Sequence, residues 1–254
     1  YAVVATVNDA NYTGAASGTL AIAKASAPIA FGTLSAVYDG TPKSATATTT
    51  PTGLTVNLTY DGSASAPTSA GAYALAAAIA DANYTGTASG AFTIVKATAT
   101  VTLSGLTRTY DGTPKVVTAT TAPTGLPVTI TYDGSATAPS AVGNYAVVAT
   151  VDSANYTGTA SGTLAIGATS ATVTLGNLSA VYDGTPKSAT ATTTPAGLAV
   201  TFTYNGSATA PTAPGSYAVV GTIDDANYSG TASGTLTIST SVIVRHAPTL
   251  NAGL

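Results

Sequence analysis

Val200-Thr201-Phe202-Thr203-Tyr204-Asn205-Gly206 alternates apolar and Thr side chains over five residues and then breaks at Asn-Gly. Successive side chains of a strand point to opposite faces, so Val200, Phe202 and Tyr204 share one face and the threonines the other. Asn-Gly accepts the positive φ values of a tight turn and ends the strand. The same slots hold Val128, Ile130 and Tyr132 before Asp133-Gly134, and Val56, Leu58 and Tyr60 before Asp61-Gly62. The copies lie 72 positions apart, which makes the chain an array of one repeated β unit.

Two further markers keep this register. Tyr-Asp-Gly-Thr-Pro-Lys begins at Tyr38, Tyr110 and Tyr182, and Asn-Tyr-Thr/Ser-Gly begins at Asn11, Asn83, Asn155 and Asn227. The expected repeats are 26–95, 98–167 and 170–239. Residues 1–23 correspond to the last third of a repeat, and 240–254 to a non-repeating tail or the start of a further domain. Tyr1 fills the slot of Tyr73, Tyr145 and Tyr217, so the sequence starts within a repeat, as a piece cut from a longer chain would. The junctions Ile94-Val95-Lys96-Ala97, Ile166-Gly167-Ala168-Thr169 and Ile238-Ser239-Thr240-Ser241 are too short for loose coil. Neighbours are therefore expected end to end with restricted hinging, as a semi-rigid rod of about 30–40 Å per repeat.

Other strands follow from the same alternation. The first carries Ile29 and Phe31, then Val101 and Leu103, then Val173 and Leu175; later ones run from Tyr145 to Val151 and through Leu164 and Ile166. Tyr73-Ala74-Leu75-Ala76-Ala77-Ala78-Ile79-Ala80 has helical propensity, but its counterparts at Tyr145 and Tyr217 are rich in Val, so it is read as a strand. Six or seven short strands punctuated by Gly and Pro predict an all-β chain, a tandem array of small immunoglobulin-like β-sandwich modules, with β-grasp-like modules as the alternative. Four Tyr per repeat are expected to supply the main packing mass.

Composition agrees. Only 7% of residues are charged, and Glu, Cys, Met and Trp are absent, which leaves little to coat a helix. A net charge of −3 offers no basic stripe, so nucleic acid is not an expected partner. Without Cys there are no disulfides or thiolate metal sites. Mean hydropathy is +0.33, yet the longest apolar run, at 72–80, is far short of the ~20 residues a membrane span needs.

The Tyr-Asp-Gly-Thr-Pro-Lys opening, the Gly-x-Tyr-Ala-Val-Val strand and the Asn-Tyr-Thr-Gly…Ser-Gly-Thr-Leu-x-Ile ending resemble the MBG/YDG-type repeats of very large bacterial surface and secreted proteins, over nearly all of 1–240. The resemblance implies an extracellular or cell-surface location and a spacer or adhesive role. It carries no active-site residue across.

Catalysis needs a placed acid, base or nucleophile, and His246 in the tail is the sole His. No catalytic or cofactor-binding residue is expected, and the chain is read as a non-enzyme. Replacement of Asp61 and Asp133 by Asn205 marks these turn residues as structural. Calcium is the metal considered, at Asp224, Asp225 and Asn227, although the counterparts Ala80-Asp81 and Asp152-Ser153 do not keep both carboxylates and a capped polar loop accounts for them. Lys43, Lys115 and Lys187 raise the idea of Lys–Asn isopeptide bonds. Such bonds need a neighbouring acid, whereas Asp39, Asp111 and Asp183 are placed in turns and the lysines read as exposed residues that discourage edge pairing. Asn-x-Ser/Thr at Asn11, Asn57, Asn83, Asn155, Asn177, Asn205 and Asn227 informs only if the host glycosylates.

The leading functional reading is therefore a structural stalk whose partners are the neighbouring repeats. The first alternative is a repeated low-affinity binder of host or surface glycan or protein, which would need Tyr84, Tyr156 and Tyr228 exposed along one side. The second is a head-to-tail extracellular fibre of many copies, completed by strand donation through the strand-like 241–244.

Overall fold

The computed structural model describes residues 1–240, so His246 and the stretch 241–244 lie outside the described residues. Backbone contacts divide the chain into two compact units. One comprises Tyr1–Val101, Thr121–Val128 and Thr150–Thr159; the other comprises Thr102–Thr120, Thr129–Ala149 and the described residues from Ala160 onward.

In the first unit, β1 (Ala2–Thr6) and β2 (Ala15–Thr19) form an antiparallel hairpin that is exposed throughout. The next repeat holds eight strands: β3 (Ala25–Ser26), β4 (Ile29–Phe31), β5 (Ser35–Val37), β6 (Ala47–Thr49), β7 (Val56–Tyr60), β8 (Gly71–Ile79), β9 (Tyr84–Thr85) and β10 (Thr87–Val95). A four-stranded sheet runs β5-β10-β8-β7, antiparallel except for the parallel edge pair of β5 with β10. The antiparallel pair of β4 with β6 packs across it and completes an immunoglobulin-like β-sandwich. The described residues are all β, without a helix, so the sandwich stands and the β-grasp alternative has no helix to use. The alanine-rich 73–80 is strand β8, because its alternate residues Leu75 and Ala77 are buried between the layers. Burial of one face outweighs helical propensity.

The core is more aliphatic than the sequence suggests. Phe92, Leu75 and Ile94 are at most 1% exposed and cluster with Tyr60 and Ala45, whereas Tyr38 and Tyr73 only pack against this cluster. In the second unit Val147, Leu164 and Val117 surround Tyr132, and Val219, Leu236 and Ile238 surround Tyr204. One Tyr per repeat is thus a core residue, not four. It is tolerated there because its hydroxyl accepts a buried backbone N–H, that of Ala45, Val117 or Ala189, at 2.8–2.9 Å.

The Asp-Gly and Asn-Gly turns have the expected backbone, with φ of 49°, 46° and 47° at Asp61, Asp133 and Asn205 and a positive-φ Gly after each. They do not join their strands directly. Tyr60 bridges to Ser63, and a longer loop then leads to β8. The turn is tied to that strand by Asp61 Oδ1, which accepts the Ala74 N–H at 2.7 Å; Asn205 Oδ1 accepts the Ala218 N–H at 2.8 Å. An amide oxygen serves as well as a carboxylate oxygen in this role, which explains the Asp/Asn exchange.

Two results are expected from urea denaturation of the full chain. Leu236→Ala removes a fully buried side chain and should cost about 2–5 kcal/mol. Asp61→Asn should leave the midpoint within error, while Asp61→Ala, which orphans the Ala74 N–H, should lower stability by about 1 kcal/mol.

Candidate functional site

The residues that recur with the repeat are the candidates, and their surroundings show what they do. The Asn-Tyr marker follows a turn whose first side chain organises it. Asp81 Oδ1 accepts the N–H groups of Asn83 and Tyr84 at 2.7 and 3.0 Å, and Asp225 Oδ1 does the same for Asn227 and Tyr228 at 2.8 and 3.0 Å. Ser153 Oγ replaces the carboxylate at Asn155 and Tyr156, at 3.2 and 3.3 Å.

Each marker is also pinned by the segment that enters its own repeat. β3 pairs in parallel with β9; Ala97–Thr98 pairs with Tyr156–Thr157, and Thr169–Ser170 with Tyr228–Ser229. The connecting residues are therefore strand, held by bonds such as Ala97 N–H to Asn155 O at 3.0 Å, and Lys24 and Lys96 add ammonium bonds to the carbonyls of Asp81 and Ser153. The glycine that ends the marker permits this pairing. A Cβ on Gly86, Gly158 or Gly230 would strike the carbonyl oxygen of Ala27, Ala99 or Ala171.

Held in this way, the Asn and Tyr side chains reach the preceding repeat. In the first unit the Tyr156 ring meets the Tyr38 ring edge-on, with centroids 5.3 Å apart and planes at 82°, and Asn155 Oδ1 accepts the Ala70 N–H at 2.9 Å. In the second unit Tyr228 meets Tyr110 at 5.5 Å and 83°, and Asn227 Oδ1 accepts the Val142 N–H at 3.1 Å. Edge-on aromatic pairs are favourable beyond the area they bury. Thr169 adds a hydroxyl bond to the Tyr110 carbonyl. The two sequence markers, distant along the chain, are thus the two halves of one junction. In the sequence they are separate markers whose tyrosines read as packing mass, and their identical 72-residue spacing is the available signal. The Ala70 and Val142 N–H groups are backbone and carry none.

Of the remaining candidates, Asp225, Asn227 and the three recurring lysines are committed to structural side-chain bonds, and Asp224 is held through its backbone, its N–H donating to the Ala199 carbonyl at 2.9 Å. Asp225 and Asn227 each spend Oδ1 on backbone N–H groups, as above, and among the described residues no three His, Cys, Asp or Glu cluster as a metal site would require. Lys43, Lys115 and Lys187 are ion-paired with Asp39, Asp111 and Asp183, and Lys115 is only 8% exposed, so these lysines are not the exposed residues expected. The Lys ammonium, followed by the hydroxyl and N–H of the intervening Thr, bonds the Asp carboxylate and holds its pKa well below the usual carboxylate range at all three sites.

A carboxyl whose pKa is lower folded than unfolded stabilises the fold above the unfolded pKa, near 4, and loses that contribution as pH falls towards the folded value. The denaturation midpoint should be flat from about pH 5 to 7 and fall below about pH 4. The triple variant Asp39→Asn, Asp111→Asn, Asp183→Asn should be less stable at pH 7 and show a shallower acid decline.

Comparison with known proteins gives four successive matches to the MBG domain, at residues 1–26, 27–98, 99–170 and 171–242. No curated protein matches the chain. Among solved structures it is similar to Sidekick-1 immunoglobulin domains 1-5, at 13% identity and a TM-score of 0.30, over 84% of this chain and 59% of that one. It is also similar to the N-terminal eight Ig domains of Down Syndrome Cell Adhesion Molecule, at 13% identity and a TM-score of 0.24, over 94% of this chain and 44% of that one. The chain spans less than two thirds of the length of either structure.

Proposed function

The chain belongs to the MBG domain family, and from that premise we propose that it is a spacer segment of an extracellular, adhesin-like bacterial surface protein. The observation that supports this reading best is the junction. Tyr38 with Tyr156 and Tyr110 with Tyr228, together with the Asn bonds beside them, use the repeating polar and aromatic residues to join one repeat to the next. A connection built from strand pairing, an aromatic contact and a side-chain hydrogen bond resists bending better than a coil linker. Length that grows by a fixed step with each repeat is what such an array provides, and no chemistry is required of it.

The glycan-binding alternative is less well supported, because Tyr156 and Tyr228, the rings it would stack on, face another tyrosine. The fibre alternative, strand donation through 241–244, rests on a stretch outside the described residues.

Small-angle scattering of the full chain, and of versions with one repeat deleted or duplicated, tests the spacer. The maximum dimension should change by about 30–40 Å per repeat. A dimension that grows only as the cube root of mass would overturn the proposal, and concentration-dependent lengthening would favour the fibre.

A further inference from the structure

The junction needs two things from the preceding repeat: a Tyr ring, from Tyr38 or Tyr110, and a free peptide N–H, from Ala70 or Val142. The third repeat keeps the ring, as Tyr182, but its residue in register with Ala70 and Val142 is Pro214. Proline has no N–H, and its ring carbon fills the space the hydrogen would occupy. An Asn oxygen approaching there as Asn155 and Asn227 do would find no donor and would meet that carbon.

We infer that Pro214 ends the locked run: the 170–239 repeat presents a surface that refuses a further Asn-Tyr repeat docked as its predecessors are, whether from the same chain or from a second copy. A second observation points the same way at the level of sequence. Val101 and Val173 are buried near the start of their repeats, and 72 positions later stands Arg245, a residue that slot would not accept. The local backbone accepts either residue type, since Ala213-Pro214-Gly215 and Ala141-Val142-Gly143 lead into the same strand. Pro214 therefore acts on the neighbour rather than on its own fold. The lock itself does not rest on the spacer reading; only the value of ending it does.

Absence of Cys makes the test direct, because introduced cysteines can carry spin labels without background. Labels are placed on exposed sites of the second and third repeats of the full chain. Val142→Pro, which gives the second repeat the feature of the third, should at least double the width of the inter-label distance distribution; an unchanged width would overturn the inference. In a second chain, a copy of 99–170 is inserted after Val242. The distribution between the third and inserted repeats should be broad with Pro214 and narrow with Pro214→Val, and equal widths would overturn the terminating role. Hydrogen exchange examines the lock alone. Asn227→Ala should raise the exchange rate of the Val142 amide about fivefold, the value of one modest hydrogen bond, and unchanged exchange would overturn the lock. These readouts are local, so they can fail while scattering still reports a spacer, and the reverse.

Discussion

The structure depends on a parallel pairing only two residues long, between the segment that enters each repeat and the Asn-Tyr segment near its end, as in β3 with β9. That pairing turns the connection between repeats into strand. It also requires glycine at Gly86, Gly158 and Gly230, and it sets the direction in which the Asn and Tyr side chains leave the backbone. Without it the connecting residues would be coil and the aromatic contacts would have no fixed geometry. A short ladder suffices because it is reinforced from outside by the Asp81, Ser153 and Asp225 caps.

The rest of each repeat is economical. Its core holds a handful of aliphatic side chains and one buried Tyr, and the facing layers come close enough that Phe31 lies 3.4 Å from where a Cβ on Gly90 would stand. Leu106 and Leu178 press similarly on Gly162 and Gly234. The Ser-Gly step in the last long strand is therefore a packing device, a place where one sheet gives up a side chain so that the other can approach. Small domains bury little apolar surface, and contacts at repeat junctions add to it in linear arrays.

Charge is handled just as locally. Lys43, Lys115 and Lys187 each fold back onto an Asp four residues earlier, which makes the Tyr-Asp-Gly-Thr-Pro-Lys marker a self-contained clasp. Its leading Tyr is left to meet the next repeat. One short motif thus has an inner part that holds its own loop and an outer part that serves the junction.

The strands, their alternation and the repeat were legible in the sequence because each depends on residues close together in the chain: period-2 burial in Val200 to Tyr204, positive-φ tolerance at Asn205-Gly206, and the Val-rich counterparts that settled the alanine-rich β8. The very short strands β5, β6 and β9 were not, since two or three residues carry no periodicity and form strand only because a neighbour offers hydrogen bonds. Nor was the division of labour among the tyrosines. Tyr60, Tyr73, Tyr84 and Tyr38 look alike in sequence, yet one is core, one bonds the Ser69 carbonyl, and Tyr38 and the counterparts of Tyr84 meet across a junction. By itself the sequence determined what each repeat is, because local alternation and turn chemistry suffice for that. Which residues join one repeat to the next was decided only by the tertiary structure, where a backbone N–H, an Asn oxygen and two rings from distant stretches of chain come within bonding distance.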